Sequence, residues 1–194
     1  MIARSLRRVV AVILALAAGG GGAAFAAGPS PPTSLDWFKA APAPAGWKLL
    51  VPPSGSSLLW YPPFMKPLEG DPYSVSVSFK DTDGSTLLYL NAGPQNGGEQ
   101  LKGWPGFRIA HLHATGDPYV HEDARASHLA FQGGPGSCVI DDYVTPVVAH
   151  HYVEIACFVQ GRKSGSVIVA AVARRAWARY GGTVERAVEA WVVQ

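Results

Sequence analysis

The sequence predicts an α+β domain in which one antiparallel sheet of about six strands is flanked by helices. Apolar and polar residues alternate with a period of two in several short segments, most strictly in residues 73–79. Short, turn-rich links separate these segments, which favours antiparallel pairing of neighbouring strands. A middle segment and the C-terminal segment instead carry apolar residues at helical spacing.

The N-terminus has the pattern of a secretory signal over residues 1–26. Three arginines precede the apolar run of residues 9–18, and Ala24-Phe25-Ala26 has small residues at the two positions that a signal peptidase reads. The run is about half as long as a bilayer core requires, so we expect cleavage and no stable membrane span afterwards. The mature protein would begin at Ala27 and be secreted. An uncleaved N-terminal anchor is the alternative.

Cleavage would change the charge balance of the chain. Three of the 16 basic residues lie in the predicted signal, which leaves 13 Lys and Arg against 14 Asp and Glu in the remaining 168 residues. A nucleic-acid-binding protein needs a clustered basic face, so nucleic acid is not an expected partner. The length suits one domain, and we expect a monomer.

Proline, alanine and glycine dominate residues 27–46, which are predicted to form a linker ahead of a globular domain at 47–194. Leu35, Trp37 and Phe38 form an apolar patch in this linker that could dock on the domain. Strands are predicted at residues 57–61, 73–79, 86–91, 137–145, 151–160 and 166–173, with one bent strand or a pair of strands at 119–131.

Two helices complete the prediction. The first covers about residues 105–114, where Pro105 and Gly106 limit its start. In the second, Thr183 is the expected N-cap, and the residues predicted to share one face are Val184, Ala187, Val188 and Trp191. Residues 133–136, with three glycines and a proline, are predicted to be a turn.

Cys138 and Cys157 are the only cysteines, and an even number in an exported chain favours a disulfide. If they join neighbouring antiparallel strands, they must lie directly opposite each other. The centre of that hairpin then falls between Val147 and Val148, inside the only stretch here that resembles a loop. This agreement between register and loop is the main support for the bond.

The same register places Asp141 opposite Glu154 and Tyr143 opposite Tyr152. Two like charges about 5 Å apart are destabilising unless a cation, an arginine from elsewhere or a raised pKa compensates. In the plainer interpretation, Arg162, Arg125 or solvent screens the acidic pair. In the other, the pair belongs to a ligand or metal site. The candidate ligand-binding residues are Asp141, Glu154, Tyr143, Tyr152 and Trp104. Trp104 is included because it lies beside Pro and Gly in an irregular segment and is therefore expected at an exposed surface.

No motif assigns a catalytic residue, a metal or a cofactor. The histidine spacings match no known ligand set, and Gly-x-Ser-x-Gly is missing from the sequence. The alternative function is an exported hydrolase or metalloenzyme. It would require at least three of six side chains to converge: His111, His113, His121, His128, Asp141 and Glu154.

Five stretches are distinctive in combination: Trp60-Tyr61-Pro62-Pro63, Tyr89-Leu90-Asn91, Gly136 to Tyr143, Tyr152 to Cys157, and Glu185-Arg186-Ala187. Together they resemble a group of exported proteins of high-GC actinobacteria that have no assigned function. Over about residues 47–192 the order of elements is similar to the PsbP and Mog type of α/β/α sandwich. Proteins of that fold are mostly non-catalytic accessory or binding modules. The resemblance therefore implies a binding role at the cell envelope, with a protein or small-molecule ligand that it does not name.

Overall fold

The computed structural model describes residues 29–69 and 71–194, so the predicted signal peptide lies outside the described residues. The elements in chain order are β1 Lys48–Leu50, β2 Ser57–Tyr61, β3 Lys66–Leu68, β4 Val75–Lys80, β5 Thr86–Pro94, α1 Trp104–Ala114, β6 Tyr119–Phe131, β7 Gly134–Val144, β8 His151–Gln160, β9 Gly165–Ala173, α2 Trp177–Ala190 and β10 Val192–Val193. A single 3-10 turn, Arg174–Ala176, leads into α2.

Seven strands of the described chain form one sheet in the order β3-β4-β5-β9-β8-β7-β6, and all neighbours are antiparallel. Strands β1, β2 and β10 form a separate small sheet. The predicted fold class is therefore confirmed, with seven strands in the main sheet instead of about six. The extra strand, β3, has three residues and contains Pro67, which is tolerated at a sheet edge but gives no alternation to detect.

The glycine-rich segment at 133–136 is not a four-residue turn. Only Gly133 makes the tight reversal, with φ +114°, and β7 already begins at Gly134. Gly136 pairs with Leu129, and a Cβ atom there would lie 2.4 Å from the ring of Phe131. This glycine is needed because an aromatic ring packs directly against the strand backbone. From the sequence alone, such a glycine cannot be told apart from one that a turn requires.

The C-terminal helix starts at Trp177, six residues before the predicted cap. Thr183 lies inside α2, and the observed N-cap residue, Ala176, makes no side-chain hydrogen bond to the helix. Gly181 allows the extra turn to pack closely, since a Cβ atom there would lie 2.5 Å from the ring of Trp177. The face predicted for this helix, which includes Val184 and Val188, is buried.

Each helix covers one face of the main sheet. Helix α2 packs on the face that carries the cysteines, and the largest buried side chains of that core include Trp191, Leu59, Met65 and Ile155. Helix α1 contacts β6, β7 and β8 on the opposite face, over a smaller core of Trp104, Val139, Ala156, Phe158 and Val167. Neither helix of the described chain is both long enough and apolar enough to cross a bilayer.

The apolar patch ahead of residue 47 docks on the domain. Leu35 is buried, and the ring centroids of Phe38 and Phe131 are 4.3 Å apart. The backbone of Ala41 donates a hydrogen bond to the carbonyl of Glu189 and accepts one from Gln132. Packing on the domain therefore begins ahead of the boundary predicted at residue 47, because three large apolar side chains outweigh the linker-like composition around them.

Candidate functional site

The β7–β8 hairpin is stapled by the Cys138–Cys157 disulfide, whose Cα atoms are 4.1 Å apart. The register is the one that this pairing predicts, with Asp141 opposite Glu154. Successive residues of a strand point to opposite faces, so the cysteines point toward α2 and the two acids point toward α1. The disulfide thereby fixes which residues lie beneath α1.

Glu154 is fully buried, and Arg108 of α1 neutralises it. The guanidinium donates two hydrogen bonds to the carboxylate, from Nε to Oε1 at 2.6 Å and from Nη2 to Oε2 at 2.8 Å. This bidentate geometry is the strongest form of an arginine–carboxylate pair. Arg125, one of the two arginines that the sequence suggested for screening, pairs with Glu122 instead. The arginine that serves the acidic pair comes from the helix, because α1 brings residue 108 over the hairpin.

Asp141 is also fully buried, yet neither of its carboxyl oxygens has a hydrogen-bond partner. Burial raises the pKa of this carboxyl to about 9, and the charge of Glu154 adds to the shift. Arg108 opposes the shift without reversing it. Asp141 therefore favours its protonated, neutral form, while the Arg108 guanidinium is paired with Glu154. The ion pair with Arg108 and the raised pKa of Asp141 together relieve the repulsion between the two acids.

The two tyrosines of the hairpin stack on each other next to the acids. The ring centroids of Tyr143 and Tyr152 are 5.8 Å apart, and the Tyr152 hydroxyl donates to the carbonyl of Thr86 at 3.0 Å. Burial raises the pKa of Tyr143 well above its usual range. Both rings therefore pack within the fold, and a ligand role for them stays a prediction.

Trp104 is buried, which corrects the expectation that it would be exposed. It is the first residue of α1, and its indole Nε1 donates to the carbonyl of Ala156 at 3.0 Å. Phe158 packs beside it, with the ring centroids 5.9 Å apart. Trp104 anchors the start of α1 to β8 and also lines the cleft beside α1.

A cleft of about 460 Å³ lies where α1 ends its cover of the sheet and the β4–β5–β9 half begins. It is lined by residues from the β3–β4 link, from β5 and its following loop, from α1 and from β9: Asp71, Tyr73, Ser74, Asn91, Gly93, Pro94, Asn96, Gly97, Glu99, Trp104, Phe107, Arg108, His111, Val167 and Val169. Its volume is within the range of small-molecule sites.

Side-chain hydrogen bonds order one wall of this cleft. The amide of Asn91 donates to the hydroxyl oxygens of Ser74 and Ser76, each at 2.8 Å. Ser74 in turn donates to Asp71 at 2.5 Å, and Ser76 is 3.1 Å from the Tyr89 hydroxyl. These residues were not predicted as a site. The signal was present in the alternation of residues 73–79, which places Ser74 and Ser76 on the same face as Asn91.

No protein-family model matches the chain, and no curated protein matches its sequence. Among solved structures it is similar to cyanobacterial PsbP (CyanoP) from Synechocystis, with a TM-score of 0.53 and 11% identity over 78% of this chain and 95% of that one. The chain has the PsbP fold. The protein PA94 of Pseudomonas aeruginosa, described as a putative regulator of unknown function, is also similar, with a TM-score of 0.51 and 8% identity over 77% of this chain and 99% of that one.

The predicted resemblance to the PsbP-type sandwich is thus confirmed at the level of fold. Identities this low show the fold alone, so membership of the exported actinobacterial group stays a prediction. In the PsbP fold of this chain, Arg108 connects the buried acids to the surface, because it both pairs with Glu154 and lines the cleft. A ligand in the cleft would therefore lie beside the Arg108 guanidinium, which already forms an ion pair with the buried Glu154.

The histidines do not assemble with the acidic pair. His151 contacts Asp142, which Arg174 also pairs with, and His121 lies 3.7 Å from Asp123. Among residues 29–69 and 71–194, no three His, Cys, Asp or Glu side chains are placed to share a metal ion. The convergence that the metalloenzyme alternative requires is not found in this part of the chain.

Proposed function

We propose that this protein is an extracytoplasmic, non-catalytic binding module and that its ligand site is the cleft beside α1. The observation that carries the proposal is the half-covered sheet face. Helix α1 leaves the β4–β5–β9 half open, and the cleft there combines ordered polar groups with the apolar surface of Phe107 and Val169. A few fixed polar groups in a mainly preformed concave space are typical of small-molecule binding sites.

The polar lining has a definite chemistry. Asp71 and Glu99 supply carboxylates, Arg108 supplies a guanidinium, and Asn91 has its amide already held in place by two serines. Burial raises the pKa of Glu99, so this carboxyl more readily keeps a proton than an exposed glutamate does. A small polar ligand with both donors and acceptors suits this set better than a purely apolar one.

Export is supported by two independent features. The residues before Ala27 have the secretory pattern, and Cys138 is bonded to Cys157, which is typical of proteins that fold in oxidising compartments. The non-catalytic part of the proposal rests on the resemblance to PsbP-type accessory modules. It assigns no reaction to the histidines or acids described above.

Native mass spectrometry of the protein purified from its source after export tests the ligand site. Gly97 lines the cleft, and a Cβ atom there would meet no atom within 4 Å, so Gly97→Trp is expected to place its ring in the cleft without disturbing the backbone. Gly106→Trp is the matched control, since Gly106 is equally open but lies outside the cleft.

We expect a co-purified mass on the wild type and on Gly106→Trp that is lost from Gly97→Trp. Equal retention by all three proteins would place the ligand elsewhere, and no bound mass on any of them would count against a small-molecule module. The same spectra give the mass of the exported chain, which should correspond to a start at Ala27.

A further inference from the structure

The cleft beside α1 carries more negative charge than its own lining neutralises. Asp71 and Glu99 both line it, and neither forms an ion pair in the described part of the chain. The charge of Arg108, the lining guanidinium, is already balanced by Glu154. His111 is a further titratable lining residue, and even if its imidazole were protonated, one carboxylate would stay unbalanced. The cleft therefore has negative charge in excess.

Neutral groups donate the hydrogen bonds that hold these two carboxylates. Hydrogen bonds from the Ser74 hydroxyl and the Tyr73 backbone lower the pKa of Asp71, so this carboxyl stays ionised, and no basic group contributes to the shift. The carboxylate of Glu99 accepts a hydrogen bond at Oε2 from the Asn96 backbone at 2.6 Å. Burial raises the pKa of Glu99, as expected for a carboxyl group that has lost water without gaining an ion-pair partner.

The Asn91 side chain adds a third hydrogen-bond acceptor. Ser74 has a single hydroxyl hydrogen and donates it to Asp71, so it can only accept from Asn91. The Asn91 nitrogen therefore faces the serines, with its second hydrogen on Ser76, and Oδ1 remains as an acceptor. A carboxylate offers about four lone-pair sites, so the two hydrogen bonds on Asp71 and the one on Glu99 leave sites free. The cleft suits a ligand that is rich in hydrogen-bond donors.

An apolar surface lines the same cleft as these acceptors. It includes the Phe107 ring, Val167 and Val169, and Tyr73 contributes a ring that is 72% exposed. Aromatic faces attract organic cations as well as apolar groups. A bare metal ion does not fit, because no three His, Cys, Asp or Glu side chains within residues 29–69 and 71–194 are placed to share one. The matching ligand therefore has a carbon body as well as a positive charge.

We infer that the ligand of this cleft is a small organic amine that binds through a primary ammonium group, an inference that rests on the function proposed above. The positive charge compensates Asp71 and Glu99, the N–H groups donate to these carboxylates and to Oδ1 of Asn91, and the carbon body packs on Phe107. An ammonium group has three hydrogen-bond donors and no acceptor, which matches this lining. Nη1 of Arg108 takes no part in the buried ion pair, so it can donate to an acceptor elsewhere on the ligand.

Four compounds that share a phenylethyl body and differ in their head group test the inference. Phenethylamine supplies a protonated amine, its N,N,N-trimethyl derivative a cation without N–H donors, phenethyl alcohol a neutral hydroxyl, and hydrocinnamate an anion. Binding to the exported protein at pH 7 is followed by nitrogen-15 NMR, with the backbone amides of Gly97 and Phe107 as reporters of the cleft. The variants are Glu99→Gln and Asp71→Asn. Asp36→Asn is the matched control, since Asp36 is exposed and lies outside the cleft. Unchanged amide spectra away from the cleft confirm that each variant is folded.

We expect phenethylamine to shift the reporter amides and to bind about tenfold more tightly than the alcohol and the trimethyl compound, because only the amine supplies both the charge and the donors. Hydrocinnamate should not bind. Glu99→Gln should weaken amine binding about tenfold, and Asp71→Asn about threefold, since Asp71 is the more exposed carboxylate. Asp36→Asn should bind the amine as the wild type does.

Binding of the alcohol, the trimethyl compound or hydrocinnamate in the cleft as tightly as the amine would overturn the inference and leave the cleft as a ligand site. Unchanged amine binding by both Glu99→Gln and Asp71→Asn would also overturn it. If none of the four compounds binds, the inference fails as well, and the co-purified mass that Gly97→Trp should lose then decides separately whether the cleft binds any ligand.

Discussion

The two faces of the main sheet are built from different chemistry. On the α2 face, the disulfide lies in a large apolar core with Trp191 and Ile155 fully buried, and the buried carboxyl on this side, Asp142, is paired with Arg174 and His151. The indole Nε1 of Trp191 has no hydrogen-bond partner. On the α1 face, a smaller core adjoins two buried carboxyl groups, one of them, Asp141, without a hydrogen-bond partner. Burying a carboxyl group costs free energy unless the group is paired or protonated. The α1 face therefore carries the larger desolvation cost of the two.

This difference indicates where the fold is adapted to a purpose other than stability. The α2 face is mainly a large apolar core, whereas the α1 face combines a buried carboxyl group that has no hydrogen-bond partner, half cover by a short helix and an adjacent cleft. Departures from packing rules concentrate at functional sites in proteins. Substitutions that change one face at a time test this difference.

The largest effect is expected from Arg108→Met, which removes the partner of a fully buried carboxylate. An uncompensated Glu154 should lower the free energy of unfolding by about 3–5 kcal/mol. Urea unfolding at neutral pH, followed by fluorescence, measures the change. The control is the double variant Arg108→Met with Glu154→Gln, which removes the charge together with its partner and should recover most of the loss. A single variant as stable as wild type would show that the pair does not hold α1 to the hairpin.

On the α2 face, the corresponding experiment removes the disulfide. Replacing Cys138 and Cys157 together by alanine opens a loop of about 20 residues and should cost about 3 kcal/mol of unfolding free energy in the chain-entropy description. This loss should be the same at pH 5 and pH 7, since no titrating group is involved. A loss of unfolding free energy that grows with pH would mean that the disulfide also affects the titration of the acids on the α1 face.

Much of the fold followed from the sequence because its strands are long and their pattern is local. Two cysteines were enough to fix the register of β7 with β8, since a covalent pair and a period of two leave one alignment. Arg108 could not be found in the same way. Its partner is 46 residues away, and only the packing of α1 on the sheet brings them together. The cap at Thr183 was wrong because the close packing of Gly181 on Trp177 allows the helix to start earlier.

A smaller effect is expected from Asp141→Asn, and it should depend on pH. In the folded protein the pKa of Asp141 is raised to about 9, whereas an unfolded aspartate titrates near 4. Between these values the folded state holds the proton more tightly, so the unfolding free energy falls as pH rises, by at most about 1.4 kcal/mol per pH unit. The asparagine variant lacks this proton, so its stability relative to wild type should increase from about pH 5 to about pH 7. Parallel profiles for the two proteins would contradict the assignment.

The smallest effect is expected on α2. Thr183→Ala lies inside this helix and removes no cap, so the unfolding free energy should stay the same or rise by up to about 0.5 kcal/mol, because alanine favours helix. A true N-cap would instead lose about 0.5–2 kcal/mol on the same change. Thermal unfolding distinguishes the two. A clear loss would mean that the first turns of α2 are not helical in solution.

A proton on Asp141 and the guanidinium of Arg108 together make the acidic pair tolerable beneath α1. Carbon-13 NMR titration of the side-chain carboxyl groups measures this directly, with Asp141→Asn used to assign the resonance. The Asp141 carboxyl should show no ionisation through neutral pH and should titrate near pH 9. An Asp141 resonance that titrates near pH 4, like an exposed aspartate, would contradict the claim.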